Sequence, residues 1–273
     1  MRSQNPGNLV QTPHSAILKT HQILGIRFFG GTSREAVEQI TRSGGLLVAP
    51  AAPSLVNLCR DADYRRALLA SDLAIADSGF MVLLWKFFTG ERVPRISGLE
   101  HVKRLLENES VRQADATLWV VPTEMAREKL LHFLHRSGLP TTEAEVYVAP
   151  KYARPVEDET LIGIVENRRP KHVIIAVGGG VQDKLGLYLL ERLNFRPAIH
   201  CIGAALGFLT GDQVRIPDWA DRYYLGWFLR SLAQPRVFVP RFWSARKLPW
   251  LIWKYRDRLP PLEERETPGH LKC

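Results

Sequence analysis

Cysteine is scarce in this chain of 273 residues: there are 3, at Cys59, Cys201 and Cys273. They are too few and too scattered for a disulfide framework or a cysteine-based zinc site. The apolar surroundings of Cys59 and Cys201 predict core thiols. No run reaches the roughly 18 continuous apolar residues that a spanning helix requires. The N-terminal stretch MRSQNPGNLVQTPHS is polar and has no apolar signal core. The expected location is therefore cytoplasmic, with membrane contact only from the surface. No GxSxG elbow, P-loop or GxGxxG fingerprint is present, which removes support for hydrolases of the first type and for those two phosphate-binding classes. His132 and His135 share a helix without companion acids or cysteines at ligand spacing, so no metal site is expected. His200 falls on a strand and is expected to be packed rather than catalytic. Neither an internal repeat nor a low-complexity segment interrupts the chain.

What the chain has in excess is positive charge. Its net charge is +9 and its pI is about 9.7, which points to an anionic partner: nucleic acid, a phosphate-rich ligand or an acidic membrane surface. A hydrophobic share of 45% and a charged share of 24% are ordinary for a globular protein, and the length suffices for a sizeable core.

Hydrophobic periodicity organises the chain into alternating elements. Residues 1–20 read as a loose leader with Pro6, Gly7 and Pro13. A strand or hairpin is predicted over 23–29, a helix capped by Thr32 or Ser33 to about Arg42, a strand over 46–49, and helices over 54–60 and 63–70. Further on, strands are expected at 116–121, 146–149, 173–177 and 199–202, and helices at 101–107, 124–136, 158–167 and 182–193. Strand followed by helix, repeated with ordinary crossovers, predicts an α/β fold: a Rossmann-like, mostly parallel sheet flanked by helices. The predicted organisation is a leader (1–20), an α/β domain (21–235) and a basic aromatic C-terminal appendage with helical character (236–273).

The chain is organised around Ser71 to Glu100, SDLAIADSGFMVLLWKFFTGERVPRISGLE. Leu73–Ala76 reads as a buried strand, Asp77-Ser78-Gly79 as a turn, Phe80–Phe88 as a buried helix, and Arg92–Gly98 as a basic loop. An acid where a buried strand gives way to a helix occupies a common functional position in open α/β sheets. The competing reading is that Asp77 caps the helix that follows.

Gly178-Gly179-Gly180 follows an apolar strand and lets backbone approach a ligand, with the next helix offering its amides to phosphate. Gln182 and Asp183 open that helix. They either complement its dipole or project over a ligand at the strand ends. Gly203 repeats the pattern of strand then glycine, and two such strand ends suggest a nucleotide crevice.

From Arg215 the chain changes character. Five of its 7 tryptophans, Trp219, Trp227, Trp243, Trp250 and Trp253, lie there, interleaved with cations that include Arg246, Lys247 and Lys254. Rings among cations suit a membrane interface with anionic lipid. A helical hairpin packed on its own domain is the alternative. Stacking on single-stranded nucleic acid ranks third, since no nucleic-acid module accompanies the stretch, and no nucleic-acid partner is expected.

Taken in order, ADSGF, ERVPRISGLE, IIAVGGGVQD, IGAALGFLTGDQVRIPDWA and YLGWFLRSLAQPRVFVPRF resemble the WecG/TagA/CpsF family of bacterial glycosyltransferases (glycosyltransferase family 26), over roughly residues 23 to 243. The resemblance implies a metal-independent, inverting enzyme with no cofactor. It would move a sugar, often N-acetylmannosamine, from a UDP-sugar donor to a polyprenyl-diphosphate-linked acceptor in cell-surface polysaccharide synthesis. It implies Asp77 as general base. Arg95 and Gly98 match an R-x-x-G segment suited to the diphosphate. Gly178, Gln182 and Asp183 match a G-x-P-x-Q-E motif with Gly180 in place of its proline, and Arg215 with Pro217 matches an R-A-P segment. The tail resembles the appendage by which members reach the inner face of the membrane, and self-association is implied as well. Departures fall at Ala49-Pro50-Ala51, where the family has Thr-x-Asn, at Gly207 in place of an aspartate, and at Gly226-Trp227 in place of Glu-Trp. They keep open a second reading, a non-catalytic nucleotide or glycolipid binder or scaffold.

Overall fold

A computed structural model describes residues 19–203, 205–211, 243 and 245–263. Arg215, Gly226-Trp227, Trp219, Cys273 and most of the leader lie outside the described residues. The first strands, β1 (Thr20–Ile23) and β2 (Ile26–Phe29), form an antiparallel hairpin. Its turn, Leu24-Gly25, has φ of 50° and 79°, the left-handed geometry of a two-residue turn that follows strand twist. Leu24 is an unusual residue there, and the tail holds it: the amides of Leu24 and Gly25 donate to the carbonyls of Arg256 and Asp257 at 2.7 and 2.9 Å.

The chain continues through α1 (Ser33–Ser43), β3 (Gly45–Val48), α2 (Ala52–Leu55), α3 (Ala62–Ala70), β4 (Leu73–Ala74), α4 (Gly79–Thr89), α5 (Gly98–Glu107), α6 (Glu109–Arg112), β5 (Thr117–Val121), α7 (Glu124–Arg136), β6 (Val146–Val148), α8 (Glu159–Arg168), β7 (His172–Ile175), α9 (Val181–Arg192), β8 (Ala198–Cys201), α10 (Ala205–Thr210) and α11 (Leu248–Tyr255). Thr32 caps α1 reciprocally with Glu35, as its hydroxyl and the acid three residues on allow. The sheet has 8 strands in the order β1-β2-β4-β3-β8-β7-β5-β6. Every described pairing except that of β1 is parallel. The protein is thus α/β, with a mostly parallel sheet flanked by helices.

Side-chain alternation along each strand separates the two faces. Leu118, Val120, Val173, Ile175, Ile199 and Cys201 pack into the core under α3, α8 and α9, while Trp119, Val121 and Ile174 pack under α5, α7 and α10. Cys59 and Cys201 are buried free thiols, as their setting predicts.

Two readings need correction. The segment 54–60 is not one helix: the short α2, with Pro53 in its first turn, passes into a 3-10 turn at Val56–Cys59. Helix α4 is not buried throughout: Met81, Val82 and Trp85 are buried, Phe80, Leu84 and Phe88 pack partly buried against the same core, and Leu83 and Phe87 are left outward. In the tail, Ala245, Leu248, Leu251 and Ile252 belong to the same core as the hairpin. Glu263 N–H donates to the Cys59 carbonyl at 2.7 Å. The described part of that segment is packed against the α/β domain.

Candidate active site

Parallel pairing puts the carboxyl ends of β4, β3, β8 and β7 side by side, and the candidate residues follow those ends. Asp77 comes just after β4. It does not cap α4, because the Ser78 hydroxyl does so, accepting from Met81 N–H at 3.2 Å. The Asp77 carboxylate reaches another helix instead: Gly98 N–H, in the first turn of α5, donates to its Oδ1 at 2.8 Å. The positive end of the α5 dipole complements that acid. Asp77 is half-buried, and its Oδ2 makes no hydrogen bond among the described residues. Arg95 Nε donates to the Asp77 backbone carbonyl at 3.0 Å. One loop therefore brings a guanidinium to the same turn as the acid. Gly98 sits in a close approach: a Cβ there would lie 3.2 Å from Ala205 Cβ and 3.3 Å from the Ile202 carbonyl oxygen. That contact ties the Asp77 turn to the end of β8.

The glycine loops meet through Gln182. Its Oε1 accepts from Gly203 N–H at 2.7 Å, joining the loop after β7 to the loop after β8. Asp183 Oδ2 accepts from Gly180 N–H at 2.9 Å. Gly178 and Gly180 have φ of 110° and 84°, which L side chains rarely adopt. Both Gln182 and Asp183 are buried, so neither side chain is presented to solvent. They shape the glycine loops from beneath. Burial pushes the Asp183 carboxyl up to about 6, and its Oδ1 is buried without a partner among the described residues. The same burial pushes the Tyr64 hydroxyl and the Cys201 thiol upward, with the Asp183 charge adding to each.

Sequence reasoning missed a chain of buried histidines under α5. His101 Nε2 lies 3.2 Å from His200 Nδ1, His200 Nε2 lies 3.2 Å from His172 Nδ1, and His172 Nε2 lies 2.7 Å from Ser110 Oγ. Ser110 Oγ also contacts Asn108 Oδ1 at 2.7 Å. That Asn108 oxygen accepts from Ser110 N–H, so it can only accept, and the Ser110 proton must go to it. His172 therefore donates from Nε2, and each ring in turn donates from Nε2 to the next Nδ1. The chain ends at His101 Nδ1, a buried acceptor without a partner among the described residues. Burial pulls His101 and His172 down to about 4 and His200 well below the ordinary value. The chain pins α5, and with it Gly98, to the sheet. His200 is packed, as its strand position predicts. Only the apolar neighbours of His172 and His200 hinted at this seam; no spacing in the sequence links the three.

Ala49-Pro50-Ala51 ends β3 and places no polar side chain beside Asp77's strand. Among the described residues, no group of three or more His, Cys, Asp and Glu side chains could hold a metal ion, and no helix is long and apolar enough to cross a membrane. Trp243, Arg246, Lys247, Trp250, Trp253 and Lys254 are all exposed. Lys254 Nζ stands 4.7 Å from the Trp250 ring centre, and the Arg246 guanidinium 4.9 Å from that of Trp243, both within cation–π range.

In open α/β sheets ligands bind outside the carboxyl ends of the strands, and there this sheet places Asp77, Arg95 and the glycine loops. The chain belongs to the glycosyl transferase WecG/TagA/CpsF family, whose sequence profile matches residues 21–262. It is similar to the N-acetylglucosaminyldiphosphoundecaprenol N-acetyl-beta-D-mannosaminyltransferase of Bacillus subtilis (strain 168), with 22% identity over 177 residues. That match spans 64% of this chain and 66% of the relative.

Proposed function

We propose that this glycosyltransferase moves a sugar from a UDP-sugar to a lipid-linked diphosphate acceptor. The observation that carries the reading is Asp77, half-buried, with one oxygen anchored by Gly98 and the other available. The relative's name specifies an N-acetylglucosaminyl-diphosphoundecaprenol acceptor and an N-acetylmannosaminyl group, which supports an acceptor and donor of this kind. Asp77 Oδ2 takes the proton of the acceptor hydroxyl as that oxygen bonds to the anomeric carbon. The bond from that carbon to the diphosphate breaks, and the electron pair leaves with the nucleoside diphosphate, giving inversion. Arg95, the amides at the α4, α5 and α9 N-termini and Arg215 offset the departing charge without a metal. Gly178, Gly203, Gln182 and Asp183 form the floor for the nucleotide. Trp243, Arg246, Lys247, Trp250, Trp253 and Lys254 contact anionic lipid on the inner face of the membrane, where such an acceptor resides.

Thermal shift with a panel of nucleotides and UDP-sugars tests the donor site. A ligand at a hundredfold excess over its dissociation constant adds roughly 2.7 kcal/mol. Stabilisation by UDP or one UDP-sugar that Arg95→Ala removes is the expected result. Absence of any shift, with and without vesicles, overturns the reading. The apolar Ala49-Pro50-Ala51 turn favours a second reading, a binder without turnover. UDP binding with no transfer of any sugar in the panel would select it.

A further inference from the structure

We infer that helix α4, and not the tail alone, docks on the anionic membrane surface, so that α4 and α11 form one bilayer-contacting platform. The choice of a bilayer as partner rests on the lipid-linked acceptor proposed above; the surface itself rests on independent observations. Phe87 is 81% exposed, the most exposed of the large hydrophobic side chains among the described residues. Leu83, one turn earlier on the same face of α4, is also exposed. Helix α11 packs directly against α4 and presents Trp250 and Trp253, 51% and 57% exposed. Two touching helices thus each carry outward apolar or aromatic side chains, which is more than the scattered single residues of an ordinary surface.

Cations accompany these side chains: Lys86 on α4 and Arg92 in the loop after it, Lys254 on α11 and Lys247 just before it, all exposed. The acid nearest in sequence, Glu91, accepts from Trp85 Nε1 at 3.2 Å. Aromatic rings among long-stemmed cations match a headgroup layer over anionic lipid. A second copy of this chain is a poor occupant, because each copy carries +9 and would face these cations with its own.

The placement has a mechanistic consequence. Helix α4 begins just after Asp77 and runs toward Phe87, about 12 Å of axial rise away at 1.5 Å per residue. Docking the far end of α4 fixes the height of Asp77 above the headgroups. An acceptor whose lipid stays in the bilayer then meets the base at a set distance.

Flotation with phosphatidylglycerol-containing vesicles and with pure phosphatidylcholine vesicles tests this, using wild type, Phe87→Ser, Lys86→Glu and Trp250→Ser/Trp253→Ser. Phe87→Ser is expected to lower partition into anionic vesicles about tenfold, in line with losing most of one buried aromatic side chain, and the tryptophan pair at least as much. Lys86→Glu is expected to weaken binding to anionic vesicles only. Melting temperature and the UDP-induced shift of all variants should match wild type. If Phe87→Ser and Lys86→Glu both float like wild type, α4 is not on the bilayer. The inference also fails if Phe87→Ser changes only the sedimentation coefficient, which assigns the face to a second copy, or if wild type does not float with anionic vesicles. Loss of flotation in Phe87→Ser together with no UDP response in any protein would leave the platform standing and overturn the transferase reading instead.

Discussion

Two acids in this molecule follow apolar parallel strands and stand beside glycine, yet they occupy opposite environments. Asp77 after β4 is half-buried, with one oxygen anchored at the α5 N-terminus. Asp183, in the first turn of α9 after β7, is sealed beneath the glycine loop with one oxygen on Gly180 and the other without a partner among the described residues. Exposure separates their chemistry. An accessible carboxylate with a spare oxygen can exchange a proton with a substrate. A buried one shapes the loop and carries the desolvation cost in its raised pKa. An acid at a strand end is thus not a sufficient sign of catalysis, and the exposure of its second oxygen is what divides the two roles.

The sharpest test of the contrast is Asp77→Asn. Its amide oxygen can still accept from Gly98, so melting temperature should hold, while turnover with the UDP-sugar found by thermal shift should fall by about 100-fold or more. A near-normal rate would place both acids in the structural class.

Acid titration probes the buried side as a whole. The three histidines have folded pKa values below their ordinary value, with His101 and His172 near 4. The unfolded chain therefore takes up protons first. The stability they contribute is complete above about pH 6.5 and is lost as pH falls toward about 4, on the order of 3 kcal/mol for each of His101 and His172 at 1.36 kcal/mol per unit. A proton on His200 would set its Nδ1–H against His101 Nε2–H, so the chain resists charging as a unit. Asp183 works in the opposite direction: with its folded value raised to about 6, it favours folding when protonated and weakens it above that pH. Three histidines against one acid give a net loss on acidification. Chemical denaturation at pH 7.5 and pH 4.5 should show it, and equal stabilities would refute the buried chain.

Asp183→Asn isolates the opposing acid. The amide keeps an acceptor for Gly180 without a buried charge, so stability at pH 8 should rise by about 1–2 kcal/mol and the acid loss should steepen. The smallest expected effect is that of Ser110→Ala. It strips the acceptor from His172 Nε2–H, at a cost of about 1 kcal/mol, measurable by urea unfolding at neutral pH.

Much of the fold was legible because periodicity and caps agree with it. Helix α7 falls on the residues its amphipathic pattern marks, and Thr32 with Glu35 announces α1. The hairpin was only half legible, since Leu24 is not a residue that asks for a left-handed turn. The tail that clasps it is remote in sequence. Of the site, the position of Asp77 after a buried strand was readable, but its partner was not: Gly98 lies 21 residues on, and only tertiary packing brings the α5 N-terminus to it. The outward face of α4 was misread for a related reason. LLWKFF carries apolar residues all round the helix, and only the packing of α11 and the core on one side shows which of them stay uncovered.

The clasp between hairpin and tail bears on how the protein is made. Gln22 and Asp257 are hydrogen-bonded across 235 residues of chain, and Ile23, Leu24, Ile26 and Phe28 share a core with Leu248, Leu251 and Ile252. At about 5–20 residues per second, a ribosome needs roughly 10 to 50 s to pass from one to the other. Through that interval the hairpin's side chains lack part of their cover, so translation speed and any chaperone waiting at the exit tunnel govern how many nascent chains reach the finished sheet.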